Sequence, residues 1–135
     1  GSSWLPEILH MSKSRSQMGR RNRQRGSEFE KECEKALHAL GYKTARKTGS
    51  IAANGQGQPD LQGIPGVYVS CKRWKVMRWA LWWRDADQHT PTGQAPMILH
   101  RGDRGAIYCS IRLQDLPSVM QGLDDSASAS RLLHP

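Results

Sequence analysis

The chain has 135 residues, enough for one folded domain and without room for a second. It has 20 lysine and arginine residues against 12 aspartate and glutamate residues, which gives a formal net charge of +8. It contains no apolar stretch long enough to cross a membrane and no secretory signal, so a transmembrane or secreted protein is not expected. Cys33, Cys71 and Cys109 lie far apart in apolar patterns and predict free core thiols, not disulfides or a zinc site.

Residues 1–25 predict a flexible basic arm. Between Ser12 and Arg25 there is no acid, and the serine, glutamine, asparagine and glycine residues there cannot build a core. The cations of this arm are Lys13, Arg15, Arg20, Arg21, Arg23 and Arg25. Such an arm neutralises phosphates without reading sequence, although a solvated leader or a localisation signal has the same composition. Residues 1–10 precede a methionine and begin Gly-Ser-Ser, which fits either a vector remnant or an alternative upstream sequence, and they are assigned no function.

The first predicted helix covers residues 27–40. The apolar residues that recur at helical spacing are Phe29, Cys33, Leu37 and Leu40. Gly41 is a natural terminator, and we expect the helix to cover one face of a sheet. Ser27 and Glu30 have the Ser-x-x-Glu spacing of a capping box, which gives Glu30 a structural interpretation beside any functional one.

Residues 66–74 predict a short buried strand, because a β-branched and aromatic run follows Pro65-Gly66. Side chains on a strand alternate between its faces. The core-facing residues are expected to be Val67, Val69 and Cys71, and those on the opposite face Tyr68, Ser70 and Lys72. Residues 60–62, after the glycine-rich loop 54–58, can form a neighbouring strand. Asp60 and Lys72 can then converge on one phosphate.

An acid and a lysine at one phosphate suit phosphodiester hydrolysis. The reaction needs a hard divalent cation to polarise the phosphoryl oxygen and to make hydroxide from water. It also needs positive charge near the developing oxyanion. Asp60 is expected to bind the cation, and Lys72 to supply the charge or orient the water.

Pro59-Asp60 with Ser70-Cys71-Lys72 resembles the motif of the PD-(D/E)xK nuclease superfamily. The order of residues 25–30, Thr48-Gly49-Ser50, Pro59-Asp60 and Val69-Ser70-Cys71-Lys72 is similar to archaeal and phage Holliday junction resolvases, and residues 96–101 and 111–116 also look like small phage-encoded members. The resemblance spans most of the foldable chain. It implies a restriction-endonuclease-like fold, a homodimer, branched DNA as the partner and a role in recombination and repair. It also implies a prokaryotic or phage-encoded protein of the cytoplasm or nucleoid.

The resemblance also implies a set of site residues. Mg2+, with Mn2+ as a substitute, is expected on Asp60, the Cys71 main-chain oxygen and a further acid, with Glu30 reaching the metal or its water layer. Lys72 orients or activates the water. Residues expected to contact DNA, besides the arm, are Thr48, Ser50, Arg73 and Lys75. For Thr48 and Ser50, ordinary turn chemistry is the alternative.

Ser70 departs from this motif, because the family has its second carboxylate there. Three explanations stay open. The acid has moved to the helix-like stretch that follows, where Asp85 lies at a suitable distance and Asp87 is a second candidate. Alternatively, the serine is a deliberate inactivating change, or the chain has lost cleavage naturally and kept DNA binding.

Residues 76–88 predict the second helix. Trp79 and Trp83 lie one turn apart on one face, and Trp82 lies on the neighbouring stripe. With Trp74, these tryptophans favour core packing, while stacking on unpaired bases or a dimer interface are the functional alternatives.

The rest of the chain predicts a hairpin and a short helix. Residues 96–100 and 106–111 are apolar runs joined by a basic turn, and a helix is expected at 113–123. The predicted organisation is a nuclease-like domain at 26–121 and a disordered tail at 122–135. The fold is expected to be α/β, with a mixed sheet of four or five strands. A repair-type or restriction-type nuclease of the same superfamily and a non-catalytic branched-DNA-binding protein remain as rival functions.

Overall fold

The structure, a computed structural model, describes residues 26–49 and 58–133. In these ranges three helices and five strands form one small α/β domain. In chain order the elements are α1 (residues 26–39), β1 (Arg46–Lys47), β2 (Leu61–Gln62), β3 (Val67–Arg73), α2 (Trp79–His89), β4 (Ala95–Arg101), β5 (Tyr108–Ser110) and α3 (Leu116–Leu133), with a 3-10 turn at Leu113–Asp115 before α3. No helix within the described ranges is both long enough and apolar enough to span a membrane.

The five strands form a single mixed sheet, as predicted, in the order β1-β2-β3-β4-β5. The β3 and β4 strands are parallel, and the other neighbouring pairs are antiparallel. A parallel pair needs a crossover connection, which α2 provides between β3 and β4. The predicted hairpin is confirmed by the pairing of β4 with β5, in which Leu99 lies opposite Cys109.

The faces of β3 alternate as the sequence predicts. Val67 and Val69 are buried in the core with Phe29 and Cys33 of α1. The side chains of Tyr68, Ser70 and Lys72 line a cleft on the opposite face of the sheet, together with residues of α2. The α1 and α2 helices therefore cover opposite faces of the sheet.

The connection from β2 to β3 depends on a glycine. Gly63 has a φ of +100°, and a Cβ atom built there would lie 1.9 Å from the carbonyl oxygen of Thr44. The Thr44 hydroxyl donates a hydrogen bond to the Gly63 carbonyl at 2.7 Å. Only glycine allows both this backbone conformation and this close approach, so β2 is held against the loop that precedes β1.

The α2 helix begins three residues later than predicted. Arg78, at its N-cap, has a backbone that is neither helical nor extended (φ −116°, ψ 61°) and makes no side-chain capping bond. None of the residues 74–78 is a serine, threonine, aspartate or asparagine, the types that cap a helix start, and Val76 is β-branched. Residues 74–78 therefore form a linker, in which Val76 and Met77 are exposed.

The α3 helix differs most from the prediction, because it continues to Leu133 through residues 122–133, which were expected to be disordered. One face of this helix is small and buried, namely Gly122, Ser126 and Ser130. The Ser126 hydroxyl bonds to the Thr44 hydroxyl at 2.5 Å, and the Ser130 hydroxyl accepts a hydrogen bond from the Lys43 main-chain nitrogen at 2.8 Å. Serine-rich composition predicts disorder only when the serines have no partners to bind.

The cysteines follow the prediction in part. All three are free thiols. Cys33 is buried, and Cys71 is half-buried in the core. Cys109 is exposed, so the prediction that it is a core residue is wrong. It lies on β5, which is the edge strand of the sheet and has a neighbour on one side only.

Candidate functional site

A cleft of about 230 Å3 opens between β3 and α2. Its lining residues from the sheet side are Gln58, Asp60, Tyr68, Ser70 and Lys72, and those from the helix are Trp82, Asp85, Ala86 and His89. The segment before β2, the β3 strand and the α2 helix, in which the sequence predicted site residues, all line this cleft. An acid before β2, a lysine on β3 and an acid on α2 share this cleft.

Asp60 is fixed in place by main-chain hydrogen bonds on both sides. Its nitrogen donates to the Val69 carbonyl at 2.8 Å, and its carbonyl accepts from the Thr48 nitrogen at 3.1 Å. Its carboxylate accepts a hydrogen bond from the Cys71 nitrogen at 2.7 Å. In an extended strand the N–H and C=O of one residue point to the same side. The Cys71 carbonyl therefore lies on the side of the Asp60 carboxylate, as its predicted role requires.

Glu30, on α1, lies close to Asp60, although it is not among the residues that line the cleft. Burial and the Asp60 charge raise the pKa of Glu30 to about 7, against the opposing effect of Lys47. Burial also raises the pKa of Asp60, although the Cys71 N–H and the Lys72 charge act in the other direction. The two carboxyls therefore form a close pair that binds a proton more readily than separate acids do.

Lys47 of β1 supports the carboxyl pair. Its ammonium group lies 3.9 Å from the Glu30 carboxylate and donates to the Ser27 hydroxyl. Its main-chain nitrogen donates to the Glu34 carboxylate at 2.5 Å. Lys47 thus contacts both Glu30 and Ser27, the two residues with capping-box spacing.

Asp85 and Asp87 lie on different sides of α2. Asp85 lines the cleft, and its main-chain carbonyl accepts a hydrogen bond from Nδ1 of His89 at 2.8 Å. Asp87 is exposed and forms an ion pair with Arg112, whose guanidinium lies 2.7 Å from the carboxylate. Residues two apart on a helix point in nearly opposite directions. Of the two acids proposed to replace the one missing at Ser70, Asp85 is therefore the one that lines the cleft.

The donors at the site match a hard cation in chemical type. Within residues 26–49 and 58–133, no group of three or more histidine, cysteine, aspartate or glutamate side chains is close enough to form a cation site by itself. Asp60, Glu30 and the Cys71 carbonyl are nevertheless all oxygen donors, the kind that Mg2+ prefers. The close carboxyls of Glu30 and Asp60 also have the negative charge that a cation would balance.

The other predicted DNA-contacting residues have varied positions. The Thr48 hydroxyl donates to the Pro59 carbonyl at 2.6 Å, so Thr48 holds the segment that carries Asp60, in agreement with the turn-chemistry alternative. Arg73 and Lys75 are exposed near the end of β3. The predictions for Ser50 and for the arm cations lie outside the described residues: Lys13, Arg15, Arg20, Arg21, Arg23 and Arg25.

The sequence analysis missed two polar residues near the site. Lys47 lies beside Glu30 because β1 pairs with β2, but a two-residue strand is too short to be predicted from a pattern. His89 lines the cleft four residues after Asp85, and this one-turn spacing is a signal that was available in the sequence.

The tryptophans form one aromatic cluster beside the cleft. Trp82 is buried and touches both Trp74 and Trp79, with ring centroids 6.4 Å apart in each pair. Trp79 also contacts Trp83 edge-on at 5.8 Å, which agrees with their predicted shared face. Core packing is therefore the role of Trp82, whereas Trp79 keeps 44% of its surface exposed.

No protein-family model, curated protein or solved structure matches this chain. The function proposed below therefore depends on the motif resemblance and on the geometry of the cleft.

Proposed function

We propose that this chain is a metal-dependent DNA endonuclease of the PD-(D/E)xK superfamily, with a restriction-endonuclease-like fold, that resolves four-way junctions. The observation on which the proposal depends is the convergence of Asp60 and Lys72, from neighbouring strands, on one cleft. The closeness of the Glu30 and Asp60 carboxyls, whose pKa values are both raised, supports it, since acids with perturbed pKa values cluster at functional sites.

The residues of the cleft have separable roles in this proposal. Asp60, Glu30 and the Cys71 carbonyl would hold Mg2+, with Asp85 as the acid that replaces the one missing at Ser70. When bound, the cation polarises the phosphoryl oxygen and lowers the pKa of a water molecule. Lys72 balances the charge that develops on the phosphate and orients the attacking water. Thr48 is a positioning residue, because it holds the segment before Asp60.

The proposed substrate class follows from charge and symmetry. The net charge of +8 favours a phosphate backbone as the partner. A junction is resolved by two symmetric cuts, so two copies of the cleft related by a two-fold axis are needed, which a homodimer provides. Charge contributes the affinity in this scheme, and the shape of the junction contributes the selectivity.

The test is cleavage of a labelled four-way junction beside flap, splayed-end and linear duplex DNAs of the same sequence, in Mg2+, in Mn2+ and in EDTA. The proposal predicts metal-dependent cuts in the junction and none with Asp60→Asn, which keeps a hydrogen-bond acceptor for the Cys71 nitrogen. Preferential cutting of flaps or duplex would indicate a repair-type or restriction-type nuclease instead.

Ser70 favours a second candidate, a non-catalytic protein that binds branched DNA. A serine hydroxyl is a weak substitute for a carboxylate as a ligand of a hard cation. The signature of this candidate is tight, salt-dependent junction binding without strand scission in either metal. Equal affinity for linear duplex at moderate salt would contradict junction preference under both candidates.

A further inference from the structure

The surface next to the cleft combines an exposed aromatic ring with unpaired cations. Between residues 72 and 84 the chain has no acid. The cations of this segment are Lys72, Arg73, Lys75, Arg78 and Arg84. The last four are exposed, and within the described ranges none of them forms an ion pair with an acid. Residues 72–84 therefore have a net positive charge, in a segment that also supplies Lys72 and Trp82 to the lining of the cleft.

Three aromatic side chains pack against Trp79 at this surface. Its ring meets Trp82 at 6.4 Å, Trp83 at 5.8 Å and His100 at 5.8 Å between centroids. Trp82, which touches Trp79, is also a wall of the cleft. The contacts fix the orientation of the Trp79 ring, while 44% of the residue stays exposed. A ring that is fixed and still accessible loses little conformational entropy when a flat partner stacks on it.

We propose that Trp79, flanked by Lys75 and Arg78, is a stacking site for unpaired bases of the DNA that enters the cleft. Every base has a π face, and sites for single strands combine such rings with cations that track the backbone. The inference deepens the proposed function and depends on it for the nature of the substrate. The feature that Trp79 would recognise is a distorted or unpaired nucleotide beside the scissile phosphate.

The charge of this face argues against a second copy of the chain as its occupant. In a two-fold interface the same surface meets itself, so Lys75 and Arg78 would face their own copies. Like charges brought together in an interface cost free energy, whereas phosphates are complementary to them. A nucleic acid strand has bases that can stack on the Trp79 ring and phosphates that can bind Lys75 and Arg78.

Binding in EDTA tests the site without requiring cleavage. Labelled oligothymidine and a fully paired duplex are titrated with the protein, with Trp79→Leu, which keeps apolar packing on Trp82 and Trp83, and with Trp79→Phe, which keeps an aromatic ring. Stacking of one base is worth about 1–3 kcal/mol, so Trp79→Leu is expected to weaken oligothymidine binding about tenfold, with little change for duplex. Trp79→Phe is expected to restore most of the affinity.

Matched variants separate charge from stacking. Arg78→Ala is expected to weaken binding of both DNAs, and more than Arg104→Ala, an exposed arginine in the β4–β5 turn. Leu113→Ala removes an exposed apolar side chain elsewhere and is expected to have no effect. Stacking also quenches tryptophan fluorescence, so oligothymidine is expected to quench the protein and to quench Trp79→Leu much less.

Two results would overturn the inference. One is unchanged oligothymidine affinity in Trp79→Leu, or an equal loss for duplex. The other is a dimer in sedimentation that Trp79→Leu converts to a monomer, since a second copy would then occupy this face. If the protein stacks bases in EDTA but never cuts DNA, the stacking site is supported and the proposed nuclease function fails. Failure of the stacking site is therefore distinguishable from failure of the proposed function.

Discussion

The carboxylate of Asp60 accepts a hydrogen bond from the main-chain nitrogen of Cys71 at 2.7 Å. This bond joins the residue before β2 to the middle of β3, next to the position of Lys72. It orients the acid toward the cleft and keeps one of its oxygens occupied. The same arrangement directs the Cys71 carbonyl to the side of the acid, so a side chain and a main-chain oxygen are brought together by the antiparallel pairing of two strands.

Lys72→Met is expected to reduce cleavage while leaving the fold intact. Methionine keeps the length and apolar part of the side chain but removes the charge, which costs about 10²-fold or more if that charge stabilises the transition state. Junction cleavage under single-turnover conditions measures this loss. Junction affinity measured in EDTA is expected to change little, and an equal loss in both measurements would assign Lys72 to binding alone.

The Glu30–Asp60 pair predicts a pH dependence of stability in metal-free protein. The pKa of Glu30 rises from 4.5 to about 7 on folding, so between these values the folded state binds more protons than the unfolded state, and stability falls as the pH rises. Asp60, whose pKa is also raised, acts in the same direction. His100 acts in the opposite direction, because burial lowers its pKa.

Comparison with Glu30→Gln isolates this effect from that of His100. The free energy of unfolding is measured with urea in EDTA from pH 4.5 to pH 8 for both proteins. The value for the protein minus the value for Glu30→Gln is expected to fall as the pH rises. Added Mg2+ is expected to stabilise the protein more at pH 8 than at pH 5.5, because protons compete for the same carboxyls. If the difference in stability between the protein and Glu30→Gln does not change with pH, the raised pKa of Glu30 is contradicted.

Gly122→Ala is expected to destabilise the domain, although alanine favours helices. A Cβ atom at Gly122 would lie 2.3 Å from the Pro65 carbonyl oxygen and 3.0 Å from the Val67 side chain. Overpacking of this kind costs about 1–3 kcal/mol and outweighs the gain of about 1 kcal/mol in helix propensity. Urea unfolding measures the change. Ser128→Ala, at an exposed position of α3, is the control and is expected to be neutral; an unaffected Gly122→Ala would argue against the packing of α3.

Removal of residues 12–25 is expected to flatten the salt dependence of DNA binding. The segment has six cations and no acid, and each phosphate contact contributes about 0.9 to the slope of log affinity against log salt concentration. The slope is therefore expected to fall by up to about five. Fluorescence anisotropy at several salt concentrations measures it, and an unchanged slope would show that the arm makes no phosphate contacts.

Local patterns predicted the elements around the cleft. The alternation along β3 separated Val69 from Lys72 correctly, since the two faces of a strand meet different environments. The pairing of residues 61–62 with β3 and the hairpin after Pro96 also followed from composition and spacing.

Contacts distant in sequence were not predictable in the same way. Ser126 is ordered because it bonds to Thr44, which lies 82 residues earlier. Lys47 reaches Glu30 only once β1 has joined the sheet. The choice between Asp85 and Asp87 required the orientation of α2 on the sheet, which depends on how Trp82 packs. The spacing in the sequence allowed both acids, and the packing of α2 places Asp85 in the lining of the cleft.

The most direct measurement compares cleavage of a labelled four-way junction in Mg2+ by the protein and by Asp85→Asn, Asp87→Asn and Ser70→Glu. We expect the protein to cut, Asp85→Asn to be inactive, and Asp87→Asn, which loses only an exposed ion pair with Arg112, to cut normally. If the protein and Ser70→Glu both fail to cut, the nuclease proposal is contradicted. If Ser70→Glu alone cuts, Asp85 does not replace the missing acid, and the chain binds junctions without cleaving them.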